Sequence, residues 1–308
     1  MGLGLVYDAI VVGGGPAGLS AALQLARFNR QVAIFDSGMG RSTYHQVTNN
    51  YPGFPGGVTA RELRRLAREQ LRMYPVAFID EAVTAARKDG DRFIVQGASG
   101  KETSGRSVVF ATGVKDHFPD FPMWESYVGR SVFWCIVCDG YSTRGKRIVV
   151  VGNEDEAAVT AMQFLQFTSR ITMLTNDTEC NITPARLKLL NEHRISVIED
   201  EIDGLLGNDG ILGAVELKSG EPIVADYLFS LQGCTPNSTL AASLGADCRE
   251  DGYVEVNDDQ QTKVPGVFAA GDVTGHLSHQ VATAVHEGIT AATAAQYFLY
   301  EPWQRHEP

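Results

Sequence analysis

The chain has 308 residues, of which 44% are hydrophobic and 20% charged, proportions that exclude a disordered or fibrous protein. Its 26 Lys and Arg against 37 Asp and Glu leave a net charge of −11, so nucleic acid and anionic membranes find no overall attraction. No apolar run approaches the roughly 20 residues that span a bilayer, and no basic segment precedes the first apolar run, which leads us to expect a cytoplasmic protein without a membrane span.

The first predicted element is a strand, Val6 to Val12, followed by Gly13-Gly14-Gly15-Pro16-Ala17-Gly18 and a helical stretch from Leu19 to Phe28. Strand, GxGxxG turn and helix in this order make a dinucleotide site. Gly13 permits the tight turn, Gly15 lets a pyrophosphate approach the backbone, and Gly18 lets helix and strand pack closely, with the helix N-terminus facing the phosphates. A second strand, Gln31 to Phe35, ends in Asp36, where an acid holds the ribose hydroxyls. After the segment Asn49-Asn50-Tyr51-Pro52-Gly53-Phe54-Pro55-Gly56, a helix begins at Thr59 with a capping box to Glu62 and an apolar face of Leu63, Leu66, Ala67 and Leu71. Arg61, Arg64, Arg65, Arg68 and Arg72 make this helix basic, either as a solvated face or as a docking patch for an acidic electron carrier. A further strand ends in Val108-Val109-Phe110-Ala111-Thr112-Gly113.

The cysteines at 135, 138, 180, 234 and 248 are odd in number and sparse, unlike an extracellular disulfide framework. Only Cys135 and Cys138 are close, and no second ligand pair accompanies them, which favours redox chemistry over a metal. On a turn opening into a helix they can close a small disulfide ring, and the helix N-terminus favours a thiolate. Cys180, Cys234 and Cys248 have no such context and read as inert.

A second strand, turn and helix follows in Ile148-Val149-Val150-Val151-Gly152-Asn153-Glu154-Asp155-Glu156-Ala157-Ala158. Here Glu154 stands where the middle glycine would be, and three acids on one turn repel phosphate while suiting the N-terminal end of a helix dipole. The next strand, Ile171 to Leu174, leads into Thr175-Asn176-Asp177-Thr178-Glu179, and no Lys or Arg occurs between Arg170 and Arg186. Strands around Ile195 to Ile198 and Tyr227 to Leu231 precede Gly233-Cys234-Thr235-Pro236-Asn237. A last strand ends in Ala269-Ala270-Gly271-Asp272, and His279-Gln280-Val281-Ala282-Thr283-Ala284 opens the final helix. The terminal aromatics Tyr297, Phe298, Tyr300 and Trp303 read as core or dimer packing, or as a ring that stacks on a flavin.

Together with the first motif, the ends at Thr112-Gly113 and Gly271-Asp272 resemble the ATG and GD signatures of flavoproteins with two dinucleotide-binding domains. The segments 49–56 and 279–284 and the CxxCDG form of Cys135 to Gly140 are similar to those of low-molecular-weight thioredoxin reductases, a likeness that runs over almost the whole chain. The resemblance implies an α/β fold of two Rossmann-like domains of thioredoxin reductase type. The FAD-binding domain would be discontinuous, 1–114 and 245–308, and the disulfide-bearing domain would span 115–244. FAD would be held by Gly13, Gly15, Pro16, Ala17, Gly18, Asp36, Asn50, Thr112, Gly113, Gly271, Asp272, His279, Gln280 and Val281, with Asp272 on the ribityl chain. By the same resemblance Cys138 is the flavin-facing sulfur, Cys135 exchanges with a partner's disulfide, and Asp139 supplies or removes the proton. No metal is expected.

Thioredoxin reductases carry an NADPH fingerprint where Glu154 stands and arginines for the 2′-phosphate near residues 175–179. Both features are missing here, so the chain resembles the NADPH-independent branch, the diflavin-linked disulfide oxidoreductases or ferredoxin-linked thioredoxin reductases. The sequence therefore predicts an FAD-dependent dithiol–disulfide oxidoreductase with one FAD per chain, or two if a second flavin lodges in place of NADPH. The implied partners are a thioredoxin-like or other dithiol substrate, a ferredoxin, and a second copy in a homodimer. Alternatives are a ferredoxin-dependent thioredoxin reductase, an NADH-dependent one, for which Asp177 leaves an opening, and a flavin-binding regulatory protein, which the intact CxxCD opposes.

Overall fold

In the computed structural model, which describes residues 5–44, 47–119, 121, 123–275 and 279–305, the chain divides into two compact units. The first comprises Met1–Thr43, Ala60–Lys115 and Thr235–Pro308, and the second Tyr44–Thr59 and Asp116–Cys234. The N-terminal half of the first unit contains β1 (Val6–Val12), α1 (Pro16–Arg27), β2 (Val32–Phe35), α2 (Arg41–Tyr44), α3 (Ala60–Leu71), β3 (Val76–Ile79), β4 (Val83–Asp89), β5 (Arg92–Gly97) and β6 (Glu102–Phe110). The second unit carries β8 (Val132–Phe133), α4 (Ile136–Asp139), β9 (Ile148–Val151), α5 (Asp155–Gln163), β10 (Ile171–Leu174), α6 (Pro184–Glu192), β11 (Ser196–Ile198), β12 (Ile202–Asn208), β13 (Ile211–Leu217), β14 (Ile223–Val224) and β15 (Tyr227–Ser230). The chain leaves and re-enters the first unit through β7 (Val114–Asp116) and β16 (Cys234–Pro236), which pair with each other, and ends with α7 (Thr239–Ser243), β17 (Val267–Ala269) and α8 (Val281–Leu299).

The main sheet of the first unit runs β3-β2-β1-β6-β5-β4, with β17 also paired to β6. β3, β2, β1, β6 and β17 are mutually parallel, whereas β5 and β4 add on antiparallel. A parallel strand covered on both faces reads as a continuous apolar run, and β1 shows why. Ala9 and Val11 join the core beneath α1 and α8, while Ile10 and Val12 join the opposite core with Phe93, Val95 and Phe110. The registers Val12↔Phe35, Val12↔Phe110 and Phe110↔Ala269 bring four strands to a common end. Gly13, Asp36, Ala111 and Ala270 therefore emerge side by side, where an open parallel sheet binds its ligand.

The second unit repeats the plan in a five-stranded parallel sheet, β11-β10-β9-β15-β8. Val149, Val151 and Leu228 face one core, and Ile148, Val150 and Phe229 the other. β12, β13 and β14 form a separate antiparallel sheet. Among the described residues, no helix is long and apolar enough to cross a membrane.

The arginine-rich helix α3 buries Leu71 and packs Ala67 on the same core as expected, but not Leu66. Leu66 is 39% exposed, because Arg64 and Arg68, one helical turn apart, point inward to Asp36. Arg65 is held by Glu62 and Glu69, so the basic stripe is largely neutralised. Of the terminal aromatics, Phe298 packs on Phe268 with ring centroids 6.4 Å apart, whereas Trp303 is exposed.

In α8, a Cβ at Gly288 would fall 2.2 Å from the carbonyl oxygen of Ala17, so the bare glycine sets the approach of α8 to α1. Gly288→Ala is expected to cost about 1–3 kcal/mol of stability through overpacking. Gly15→Ala, whose Cβ would meet nothing within 4 Å, should change the apoprotein by less than about 0.5 kcal/mol. Urea denaturation of both variants checks the contrast.

Ahead of β9 and β15, the backbone N–H and the guanidinium of Arg147 each donate at 2.8 Å to the carboxylate of Asp226, and this hydrogen bonding holds the Asp226 carboxyl down at about 2. A depressed folded value means that the stabilisation is complete above the unfolded value, near ~3.9, and is lost as pH falls through the folded one. Asp226→Asn should therefore lower the urea midpoint near neutral pH and converge with the wild type at about pH 2. A gap that is constant across that range would contradict the assignment.

Candidate active site

The glycine turn after β1 divides into positions that serve the fold and one that serves a ligand. Gly13 has φ 115°, and a Cβ there would lie 2.1 Å from the carbonyl oxygen of Ala111. A Cβ on Gly18 would lie 1.8 Å from that of Gly13, so helix and strand touch through glycine. Gly15, the N-cap of α1, faces open space, and Pro16 follows at the first helical position, where a missing N–H costs nothing. The remaining N–H groups of the first turn lack intrahelical partners. This uncovered cradle fits the pyrophosphate of a dinucleotide.

Two acids flank the cradle, each paired with arginine. Asp36, at the end of β2, bonds Arg64 at 2.6 Å and Arg68 at 3.1 Å. Asp272 bonds Arg41 at 2.8 Å. Gly271 lies between α1 and α8, with Ala17 and Ala284 its nearest neighbours, and its N–H donates at 2.6 Å to Glu287, a carboxylate only 2% exposed. Thr274 Oγ1 donates to the same Glu287 oxygen at 3.2 Å. At the end of β6, Thr112 and Asn237 bond reciprocally: Thr112 Oγ1 donates to the Asn237 carbonyl at 2.7 Å, and Asn237 Nδ2 donates to the Thr112 carbonyl at 2.9 Å. The N–H of Asn237 reaches Gly113 at 2.9 Å. The His279 ring lies tilted at 49° to that of Tyr253 with centroids 5.8 Å apart, Gln280 caps α8 through a box with Thr283, and Val281 begins the helix.

The first unit thus brings together Gly13, Gly15, Pro16, Ala17, Gly18, Asp36, Thr112, Gly113, Gly271 and Asp272, with His279 to Val281 leading into the helix beside Gly271. Asn50 lies in the segment Tyr44–Thr59, grouped with the second unit, between the bridge Thr48↔Val58 and the stacked rings of Tyr51 and Phe54. Sequence reasoning missed Arg41 and Glu287. Glu287 had a readable signal, since it is the one acid in the helix Val281–Leu299.

In the second unit, Cys135 and Cys138 form a disulfide with Cα atoms 5.3 Å apart. Cys135 is the N-cap of α4, and the N–H of Cys138 donates to its Sγ at 3.1 Å. α4 is a single turn that passes into a 3-10 turn at Gly140–Thr143, so this amide, and not a long helix dipole, is the local donor to sulfur. Asp139 is buried directly after Cys138, while Val137 and Tyr141 stand exposed. Among the described residues, Cys180, Cys234 and Cys248 take part in no disulfide.

The second glycine turn is built differently from the first. Glu154, exposed and extended, is the N-cap of α5. The carboxylate of Asp155 accepts the N–H of Thr183 at 2.8 Å and its hydroxyl at 3.0 Å. Asn153 Oδ1 accepts the N–H of Asn181 at 3.0 Å, and its amide approaches Asp177 at 3.5 Å. These bonds tie the 175–183 loop to the turn through the side chains nearest the helix start. The acids and the tie do not fit a nucleotide phosphate at this turn. Among the described residues, no group of three His, Cys, Asp or Glu side chains is arranged to hold a metal.

The family model described as pyridine nucleotide-disulphide oxidoreductase matches residues 7–295. The thioredoxin reductase of Bacillus subtilis is 31% identical over 310 residues, covering 96% of each chain, and thioredoxin reductase tcpT of Claviceps purpurea is 32% identical over 94% of this chain and 93% of its own. The crystal structure of thioredoxin reductase from Streptococcus pyogenes superposes with a TM-score of 0.88 at 28% identity, over 96% of this chain and 98% of that one. The chain therefore belongs to the pyridine nucleotide-disulphide oxidoreductase family and is a thioredoxin reductase-like disulfide oxidoreductase.

Proposed function

We propose that the chain is an FAD-dependent dithiol–disulfide oxidoreductase that exchanges electrons with a thiol partner through Cys135 and Cys138 and takes none from NADPH. The observation that carries the second half is the tie from Asp155 to Thr183 beside an exposed Glu154. The place where a pyrophosphate would meet backbone N–H groups is instead negative and bound to the neighbouring loop.

FAD, when bound by Gly15, the first turn of α1, Asp272 and the Thr112–Gly113 turn, supplies a two-electron store. The chain's own residues handle sulfur and proton. In the oxidising direction, a partner thiolate attacks Sγ of Cys135 and breaks the Cys135–Cys138 bond, and Cys138 leaves as a thiolate. The partner's second thiolate displaces Cys135, so the partner departs as a disulfide and the cysteine pair holds its two electrons. The Cys138 N–H aimed at Cys135 favours the Cys135 thiolate that this displacement releases. Asp139 holds the proton exchanged with the pair. The reducing direction reverses each step.

Because the curated relatives are named thioredoxin reductases, the partner class we assign is a thioredoxin-like dithiol protein. The flavin's counterpart is then a carrier outside the pyridine nucleotides, a ferredoxin or a second flavin. We assign a homodimer by the same family likeness.

Anaerobic NADPH is expected to leave the flavin absorbance of the purified protein unchanged, whereas dithiothreitol bleaches it; rapid bleaching by NADPH would sink the reading. In Cys138→Ser, dithiothreitol should reduce the flavin roughly 10²-fold more slowly or worse, measured by stopped-flow absorbance. Equal rates in variant and wild type would remove Cys138 from the path.

A further inference from the structure

The acid at the end of β2 has little left to offer a ligand. Oδ2 of Asp36 accepts Arg64 Nη2 at 2.6 Å and Arg68 Nη1 at 3.1 Å, and Oδ1 accepts the N–H of Gly38 at 3.0 Å. Three of the about four acceptor positions of a carboxylate are therefore taken. The group is 7% exposed and lies against the glycine turn, so that a Cβ on Gly14 would fall 2.1 Å from Oδ2.

The two arginines differ. Arg68 is satisfied elsewhere: its Nη2 bonds Asp80 at 2.7 Å, and its guanidinium lies 4.4 Å from the centroid of the Phe78 ring. Arg64 has a side chain 16% exposed. Its Nε donates to the carbonyl oxygen of Gly14 at 3.1 Å and one Nη2 hydrogen goes to Asp36. Three of its five N–H groups have no protein acceptor among the described residues. A mostly buried guanidinium with unused donors beside an uncovered glycine turn calls for acceptors. The adenosine half of a dinucleotide carries them, as phosphate oxygens and ribose hydroxyls.

We propose that Arg64 is a cofactor-binding residue that holds the adenosine side of the dinucleotide, and that Asp36 is the positioning residue that aims it. This rests on the assignment of FAD to the first unit. A guanidinium in this role brings a charge-assisted and geometrically fixed contact, which a carboxylate already engaged by three donors does not.

The test is titration of apoprotein with FAD, followed by quenching of flavin fluorescence, for the wild type, Arg64→Met and Arg64→Lys, with circular dichroism recording that each is folded. Arg64→Met should raise the Kd for FAD at least about fivefold and flatten its dependence on salt. Arg64→Lys keeps the charge but not the fork, and should also weaken binding at least about fivefold; it decides the matter if the Met variant does not fold. A smaller change, or tighter binding because Asp36 has been freed for the ribose, overturns the proposal alone. A folded wild-type apoprotein that takes up no FAD overturns the assignment of the cofactor and the proposal with it.

Discussion

The distance between α1 and the sheet governs everything the first unit presents at its strand ends. Gly18 rests on the Gly13 carbonyl, Gly13 on that of Ala111, and Gly288 of α8 on that of Ala17, three backbone contacts that no side chain could share. Together they seat the start of α1 directly over the ends of β1 and β6 and hold α8 against it. Only with the helix so placed does Gly15 face open space and Gly271 fit between the two helices. Packing of this kind tolerates no added methyl, because interiors are close-packed and the atoms opposing it are backbone.

The acids around that geometry are each engaged by donors from the protein. Asp36 and Asp272 would each repel a bound pyrophosphate if left bare, yet Arg64 and Arg41 stand against them. Glu287 is buried but engaged by the N–H of Gly271 and the hydroxyl of Thr274. The turn after β9 has the same strand-and-helix frame but uses Asp155 and Asn153 as tethers to the following loop. Two halves of one architecture thus differ by what their polar side chains hold, not by how their backbones run.

Features carried by local pattern were legible in the sequence: the strand, turn and helix at 6–28, its degenerate counterpart at 148–163, and the cysteine pair on a tight turn. The carboxyl-end position of Gly13, Asp36, Thr112 and Asp272 followed from the strand boundaries. What escaped were partners far apart along the chain. The pairing of Arg41 with Asp272 crosses 231 positions and that of Thr112 with Asn237 crosses 125, distances over which no periodicity speaks. Arg64 and Arg68 were visible as residues but looked like a solvated stripe, since helical spacing alone does not say that both reach Asp36 at the end of β2. Asn50 matched a family segment, yet its chain neighbours cluster with the second unit.

The bonds from Asp155 to Thr183 and from Asn153 to Asn181 flank Glu154 on both sides and fasten the second turn to the loop ahead of α6. Glu154 itself is exposed and makes none of these bonds, so exchanging it for glycine would remove one negative side chain and leave the turn fastened through Asn153 and Asp155. The acid and the tether are therefore separable features of this turn, and baring its backbone N–H groups would take changes at more than one position.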